Sequence, residues 1–175
     1  MMEKTLKVIN SLVEKVIIRG YAIGGGVAAT FYGESTLTYD LDLFVYFPTE
    51  SDDLLILTPI FQYLKKLGYK VEGEGIRIEG VLVQFLPCGN PLIREAVDGA
   101  KTVPYNNIET RIVSPEHLIA IMVQTFRPKD KLRLENLLQL MNDPKAKFRM
   151  DKSKLLDILK RHGLKERWND FIREK

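Results

Sequence analysis

Residues 21–47 read YAIGGGVAATFYGESTLTYDLDLFVYF. Three consecutive glycines precede a short apolar helix, and two aspartates, Asp40 and Asp42, then enter a run whose other residues suit a core strand. Strand side chains alternate between faces. Asp40, Asp42, Phe44 and Tyr46 therefore share one side, and Leu41, Leu43, Val45 and Phe47 the other. Two carboxylates two residues apart on one face lie roughly 7 Å apart at Cα, and desolvating like charges this close is unfavourable unless a cation neutralises them.

Three readings compete for this stretch. In the plainest, a turn, a helix and a strand carry exposed acids that water neutralises at a sheet edge. In the second, Gly24-x-Gly26-x-x-Ala29 matches the loose dinucleotide fingerprint Gly-x-Gly-x-x-Gly/Ala. That fold needs a full helix after the glycines and an acid late in the next strand. Here only a short helix fits before Gly33, the acids open the strand, and no doubly wound sheet is in prospect. The third reading accounts for more residues. Gly25-Gly26 at a helix start lets the backbone approach a phosphate. Asp40 and Asp42 then hold Mg²⁺, a hard cation that bridges carboxylates to substrate phosphates. Such a site positions a nucleoside triphosphate for in-line attack at phosphorus.

Composition sets the frame. With 175 residues, 45% hydrophobic and 28% charged, the chain is long enough for the core of one compact domain. No apolar run approaches the roughly 20 residues of a membrane span, and MMEKTLKVIN lacks the layout of a signal peptide, so a cytoplasmic protein is expected. The single Cys88 forms no internal disulfide, and His117 and His162 offer no zinc spacing; both histidines read as helix-surface residues. Net charge is +3, unevenly spread. From Pro144 to Lys175, eleven Lys/Arg stand against five acids, an excess of +6 against −3 elsewhere. The main reading of this segment is a solvated helical face; the other is a surface for RNA or another acidic partner.

Periodicity and caps predict a helix over 3–16, a strand at 21–23, a helix over 27–33 and a strand from Asp40 to Pro48. A helix over 51–68 is expected to open at Ser51 and run through Pro59. Residues 69–87 read as strands, with a tight turn at Glu79-Gly80. A short helix near 91–100 precedes one or two strands over 101–113. Ser114 caps a helix that starts at Pro115, and further helices cover 128–142, 151–162 and 164–174. The fold class is α/β (α+β): a core over 1–113 and a helical unit over 114–175 packed on it as one compact domain.

GGVAATFYGESTLTYDLDLFV resembles the signature of the minimal nucleotidyltransferases of the DNA polymerase β-like superfamily, in which a Gly-Gly pair precedes a short helix and Thr-x-Asp-hydrophobic-Asp. Gly25, Gly26, Ala28, Gly33, Thr38, Asp40 and Asp42 match. IEGVLVQFLP is similar to the family's third strand, and SPEHLIAIMVQTFRPKDKLRLENLL to the helix pair of abortive-infection (AbiEii-type) toxins, with Arg127, Lys129 and Asp130 in place. The resemblance spans about residues 18–140. It implies a small mixed sheet flanked by helices, Mg²⁺ (or Mn²⁺) on Asp40 and Asp42 as catalytic residues, and nucleotide binding by Gly25, Gly26, Thr38, Arg127, Lys129 and Asp130. The implied reaction is transfer of a nucleotidyl group to a hydroxyl on RNA, protein or a small molecule, in a protein that could have an antitoxin partner.

Four positions depart from that pattern and are expected to cluster on the cleft. Gln84 stands where the family carries a third acid that helps bind the catalytic metal and activate the nucleophile. Thr36 replaces an arginine, Met122 a lysine, and Arg133 the second acid of the KDLAD motif. Glu79 offers no substitute, because it belongs to the turn and has the opposite strand parity from Gln84. Two outcomes follow: a nucleotidyltransferase impaired by Gln84, or a catalytically inactive module that binds nucleotide or a partner.

Overall fold

The computed structural model describes all residues except 35–37, 39, 49–55, 143–148 and 175, and the main chain alone at 141–142. Its elements run α1 (Met2–Glu14), β1 (Gly20–Ile23), α2 (Gly25–Phe31), β2 (Asp40–Tyr46), α3 (Thr58–Lys66), β3 (Lys70–Glu72), β4 (Gly75–Ile78), β5 (Val81–Pro87), α4 (Pro91–Asp98), β6 (Lys101–Tyr105), β7 (Ile108–Ile112), α5 (Pro115–Thr125), α6 (Pro128–Asn142), α7 (Lys152–Arg161) and α8 (Lys165–Arg173). The strands form one mixed sheet of order β3-β4-β5-β2-β1-β7-β6. This is the expected mixed sheet flanked by helices.

Local chemistry sets the boundaries. α1 stops at Glu14, two residues short of expectation, because Val16 takes a left-handed φ of 56° that a helix cannot continue. α2 begins at Gly25 and not after the glycines, with Gly24 as its extended cap. α3 begins at Thr58, so Pro59 lies in its first turn and does not interrupt it; with no N–H to offer, proline suits that place. The expected cap at Ser51 lies outside the described residues. Glu79 (φ 49°) and Gly80 (φ 87°) both take positive φ, as a two-residue turn matched to strand twist requires.

The sheet separates two layers. Leu41, Leu43 and Val45 are fully buried on one face of β2. On that side the Tyr21 hydroxyl donates to Asn10 of α1 at 2.7 Å, and Ser11 of α1 lies 3.5 Å from the Tyr63 hydroxyl of α3. The face carrying Asp40 and Asp42 also carries Tyr46, whose hydroxyl donates to the carbonyl of Arg94 in α4 at 3.0 Å. α5 is buried from Pro115 to Val123, as a helix apolar on all sides must be, and its residues join those of the sheet in one hydrophobic cluster. Ser114 caps it, accepting from the main-chain N–H of His117.

The two histidines correct the sequence reading. His117 is 2% exposed, and its Nδ1 lies 2.9 Å from the Ser114 hydroxyl. His117 Nε2 and His162 Nε2 reach the two oxygens of Glu95 in α4, at 3.1 and 2.7 Å. Neither lies on a bare surface, because their partner is a carboxylate contributed by a third helix. No helix among the described residues is long and apolar enough to cross a membrane.

Candidate active site

The site forms where β2 begins and α2 starts. Gly24 N–H donates to the carbonyl of Asp42 at 2.9 Å, tying the glycine turn to the strand. Each glycine then answers to a specific neighbour. A Cβ on Gly24 would lie 2.3 Å from Cε2 of Phe44, one on Gly25 1.7 Å from Oδ2 of Asp42, and one on Gly26 2.6 Å from Nη2 of Arg133 and 2.7 Å from Oγ1 of Thr38. Gly25 also takes φ +56°, which a side chain would strain. The glycine backbone therefore meets the carboxylate, the threonine hydroxyl and the guanidinium directly.

Asp40 and Asp42 are both half-buried on the cleft face. The Thr38 hydroxyl lies 3.2 Å from Oδ1 of Asp40 and 3.2 Å from its carbonyl. Burial first, and the charge of Asp40 second, raise the Asp42 carboxyl above its ordinary range; Lys129, Arg133 and Arg127 pull it back. Arg127 lies in the turn before α6, and Lys129 and Arg133 on α6 itself. Asp130 works behind them. Burial alone would raise its carboxyl, yet it is held below the ordinary range by Arg127 and Thr125, which donate at 2.8 and 2.7 Å, with a further bond from Arg127 N–H at 3.1 Å. Asp130 is buried and Arg127 largely exposed, so the carboxylate anchors the turn that presents the arginine.

Gln84 lies directly opposite Asp42 across the parallel β2–β5 pair, as Leu82 does opposite Asp40. Opposed residues of paired strands project from the same face. Gln84 therefore flanks the carboxylates, and its amide brings no charge to them. Among the described residues no group of three or more His, Cys, Asp and Glu is disposed around a metal. Two carboxylate donors still suit Mg²⁺, which commonly takes one or two from protein and the rest from water and phosphate. The raised Asp42 carboxyl marks a place where a divalent cation would relieve repulsion.

The other departures do not all cluster on the cleft as expected. Met122 is buried in the hydrophobic core, filling space that a lysine would charge, and Thr36 lies outside the described residues. Glu79 sits at its turn and accepts from the Tyr69 hydroxyl at 2.8 Å. Arg133, read from the sequence only as a lost acid, is a site cation. Its signal was available: it follows Lys129 by four residues, which places both on one side of α6. The basic C-terminal stretch is partly committed to docking. Lys154 pairs with Glu116 at 3.7 Å, and Arg161 with Glu95 at 2.6 Å and with Asp157 at 2.9 Å. Arg167 donates to the carbonyls of Val123 and Gln124. Lys145 and Lys147 lie outside the described residues.

No protein-family model matches the sequence, and no curated protein does. Solved structures do. An antigenic nucleotidyltransferase-like protein from Paracoccidioides brasiliensis is 18% identical over 95% of this chain and 90% of its own, with a TM-score of 0.52. The antibiotic-resistance factor ANT(2'')-Ia in solution is 15% identical over 99% and 96%, with a TM-score of 0.53. In complex with adenylyl-2''-tobramycin, ANT(2'')-Ia is 15% identical over 93% and 98%, with a TM-score of 0.54. The fold is that of the nucleotidyltransferases. At this identity the likeness reaches the fold and no further.

Proposed function

We propose that this protein is a nucleotidyltransferase-like protein that binds a nucleoside triphosphate and transfers its nucleotidyl group slowly to a hydroxyl acceptor. The observation that carries this reading is the contact of the Asp42 carboxylate with Gly25 on the face it shares with Asp40. Asp40 and Asp42 would hold Mg²⁺ or Mn²⁺, which supplies charge neutralisation for the phosphates. Gly25 and Gly26 let the phosphates approach the main chain, and Arg127 and Lys129 offer donors to their oxygens. An acceptor oxygen then bonds to the α-phosphorus as the bond to pyrophosphate breaks, and the acceptor's proton must leave. The Gln84 amide cannot take that proton, so turnover is limited at this step.

RNA, a protein and a small molecule are the acceptor classes to compare. The test is incubation of the full chain with labelled nucleoside triphosphates, Mg²⁺ or Mn²⁺ and each acceptor class. Slow transfer, abolished by Asp40→Asn and by Asp42→Asn, is expected. Transfer that survives both substitutions would place the chemistry elsewhere.

The register of Gln84 against Asp42 favours one second reading: a catalytically inactive module that binds nucleotide or a partner, such as one component of a toxin–antitoxin pair. It predicts nucleotide binding without labelled product for any acceptor, in a cytoplasmic protein.

A further inference from the structure

Arg133 has a buried guanidinium donor that its ion pair with Glu34 does not satisfy. Its side chain is 12% exposed, and the carboxylate beside it, Glu34 Oε2, lies 3.8 Å from Nε, beyond hydrogen-bond range. Nε is buried with no hydrogen-bond partner among the described residues. A guanidinium carries five N–H donors, and leaving buried donors unmatched is unfavourable. The Nη2 end meets the main chain of Gly26, from which no side chain projects, and the group acts electrostatically on Asp42 together with Lys129 and Arg127. Asp130, buried, holds Arg127 through hydrogen bonds, and the buried Glu34 lies beside Arg133. A planar donor set against main chain that carries no side chain, acting on the same carboxylate as two further cations, matches the oxygens of a phosphate.

We propose that Arg133 is a phosphate-binding residue of this site, and that with Lys129 and Arg127 it lets the protein hold a nucleoside triphosphate in part without a divalent cation. The proposal rests on the nucleotide-binding reading above and deepens it. With Gln84 in place of an acid, cation-dependent binding is weakened on one side of the cleft while Arg133 adds a fixed protein charge on the other.

The test is calorimetry of the full chain with ATP and with inorganic triphosphate, each in Mg²⁺ and in EDTA. Circular dichroism checks the folding of every variant. The natural chain should bind both probes in EDTA, more weakly than in Mg²⁺. Arg133→Met should lose roughly tenfold to a hundredfold of the affinity in EDTA, as removal of a charge-assisted hydrogen bond implies, and Arg133→Lys should keep part of it. If Arg133→Met does not fold with Glu34 left buried, the Glu34→Gln/Arg133→Met double variant takes its place. A folded variant that binds inorganic triphosphate as tightly as the natural chain would reduce Arg133 to a partner of Glu34. Loss of all binding by the natural chain in EDTA would also overturn the proposal. Both outcomes leave the nucleotide site standing, whereas absence of binding to either probe with Mg²⁺ present removes that site as well.

Discussion

Oδ2 of Asp42 occupies the space that a side chain on Gly25 would need: a Cβ there would lie 1.7 Å away. Glycine is thus imposed at this position by the carboxylate as well as by its φ of +56°. The same contact seats the acidic group against main chain.

Gly25→Ala meets both obstacles at once. Left-handed φ in a residue with a side chain costs about 1–3 kcal/mol, and the carboxylate must also move. A loss of about 2 kcal/mol lowers Tm by roughly 4–8 °C in a chain of this size. Thermal unfolding by circular dichroism should show that drop, and ATP affinity should fall with it. Unchanged Tm and affinity would mean that the turn relaxes freely and the contact is incidental.

Gln84→Asp tests the position opposite Asp42. The two residues are in register and project from one face, so the new carboxylate joins Asp40 and Asp42 as a third anionic donor. Mn²⁺ affinity, read by calorimetry, should rise at least several-fold, and nucleotidyl transfer should quicken. Without a metal the third charge adds repulsion, so the variant should be less stable than the natural chain in EDTA and recover in Mn²⁺ by linkage. Equal Mn²⁺ affinity in the two proteins would show that position 84 is not part of the metal site.

Asp42 sets a stability cost that depends on pH. Its carboxyl is raised by burial and then by Asp40, so between the unfolded value near 3.9 and the higher folded value the native state holds more proton than the unfolded one. Stability from this group therefore falls as pH rises through that window and stays lower at neutral pH. Asp42→Asn removes the cost. The variant should be more stable than the natural chain at pH 7, with the gain shrinking as pH falls toward about 4 and gone below it, and it should no longer respond to Mg²⁺. Urea titrations at several pH values measure this; equal stability at pH 7 would mean that Lys129, Arg133 and Arg127 already cancel the penalty.

Much of this architecture is written locally. Period-two alternation in DLDLFVY gave the burial of Leu41, Leu43 and Val45 and put both aspartates on the other face, and Ser114-Pro115 marked the start of α5. Pro59 misled because a proline inside a periodic run reads as a tolerated interruption, whereas its missing N–H makes it a starting residue. The histidines misled for a different reason. Helical spacing predicts which residues share a face but not which charge from another helix will meet them, and Glu95 lies 22 residues before His117 and 67 before His162. For Arg133 the spacing from Lys129 showed the shared helix side but not the contacts: its neighbours Gly26 and Glu34 lie about a hundred positions upstream.

The Glu95 cluster should make the docking of α7 sensitive to acid. Arg161 donates to both Glu95 oxygens at 2.6 and 2.8 Å, and its bonds, followed by those of His162 and His117, hold the Glu95 carboxyl well below its ordinary range. A depressed carboxyl contributes stability that is complete above its unfolded value near 4.3 and is lost as pH falls below it. Burial lowers the His117 value against the pull of Glu95, so charging this imidazole opposes folding as pH falls through about 6.5. Stability should therefore decline first between about pH 7 and 5 through His117, and again below about 4.5 through Glu95. Glu95→Gln keeps the shape but turns an amide donor toward three donors. It should cost about 1–3 kcal/mol at pH 7 and flatten the lower limb. Hydrogen exchange should show the amides of α7 losing protection before those of β2. If Glu95→Gln leaves both the acid limb and α7 protection as they are in the natural chain, the Glu95 cluster does not hold α7 in place.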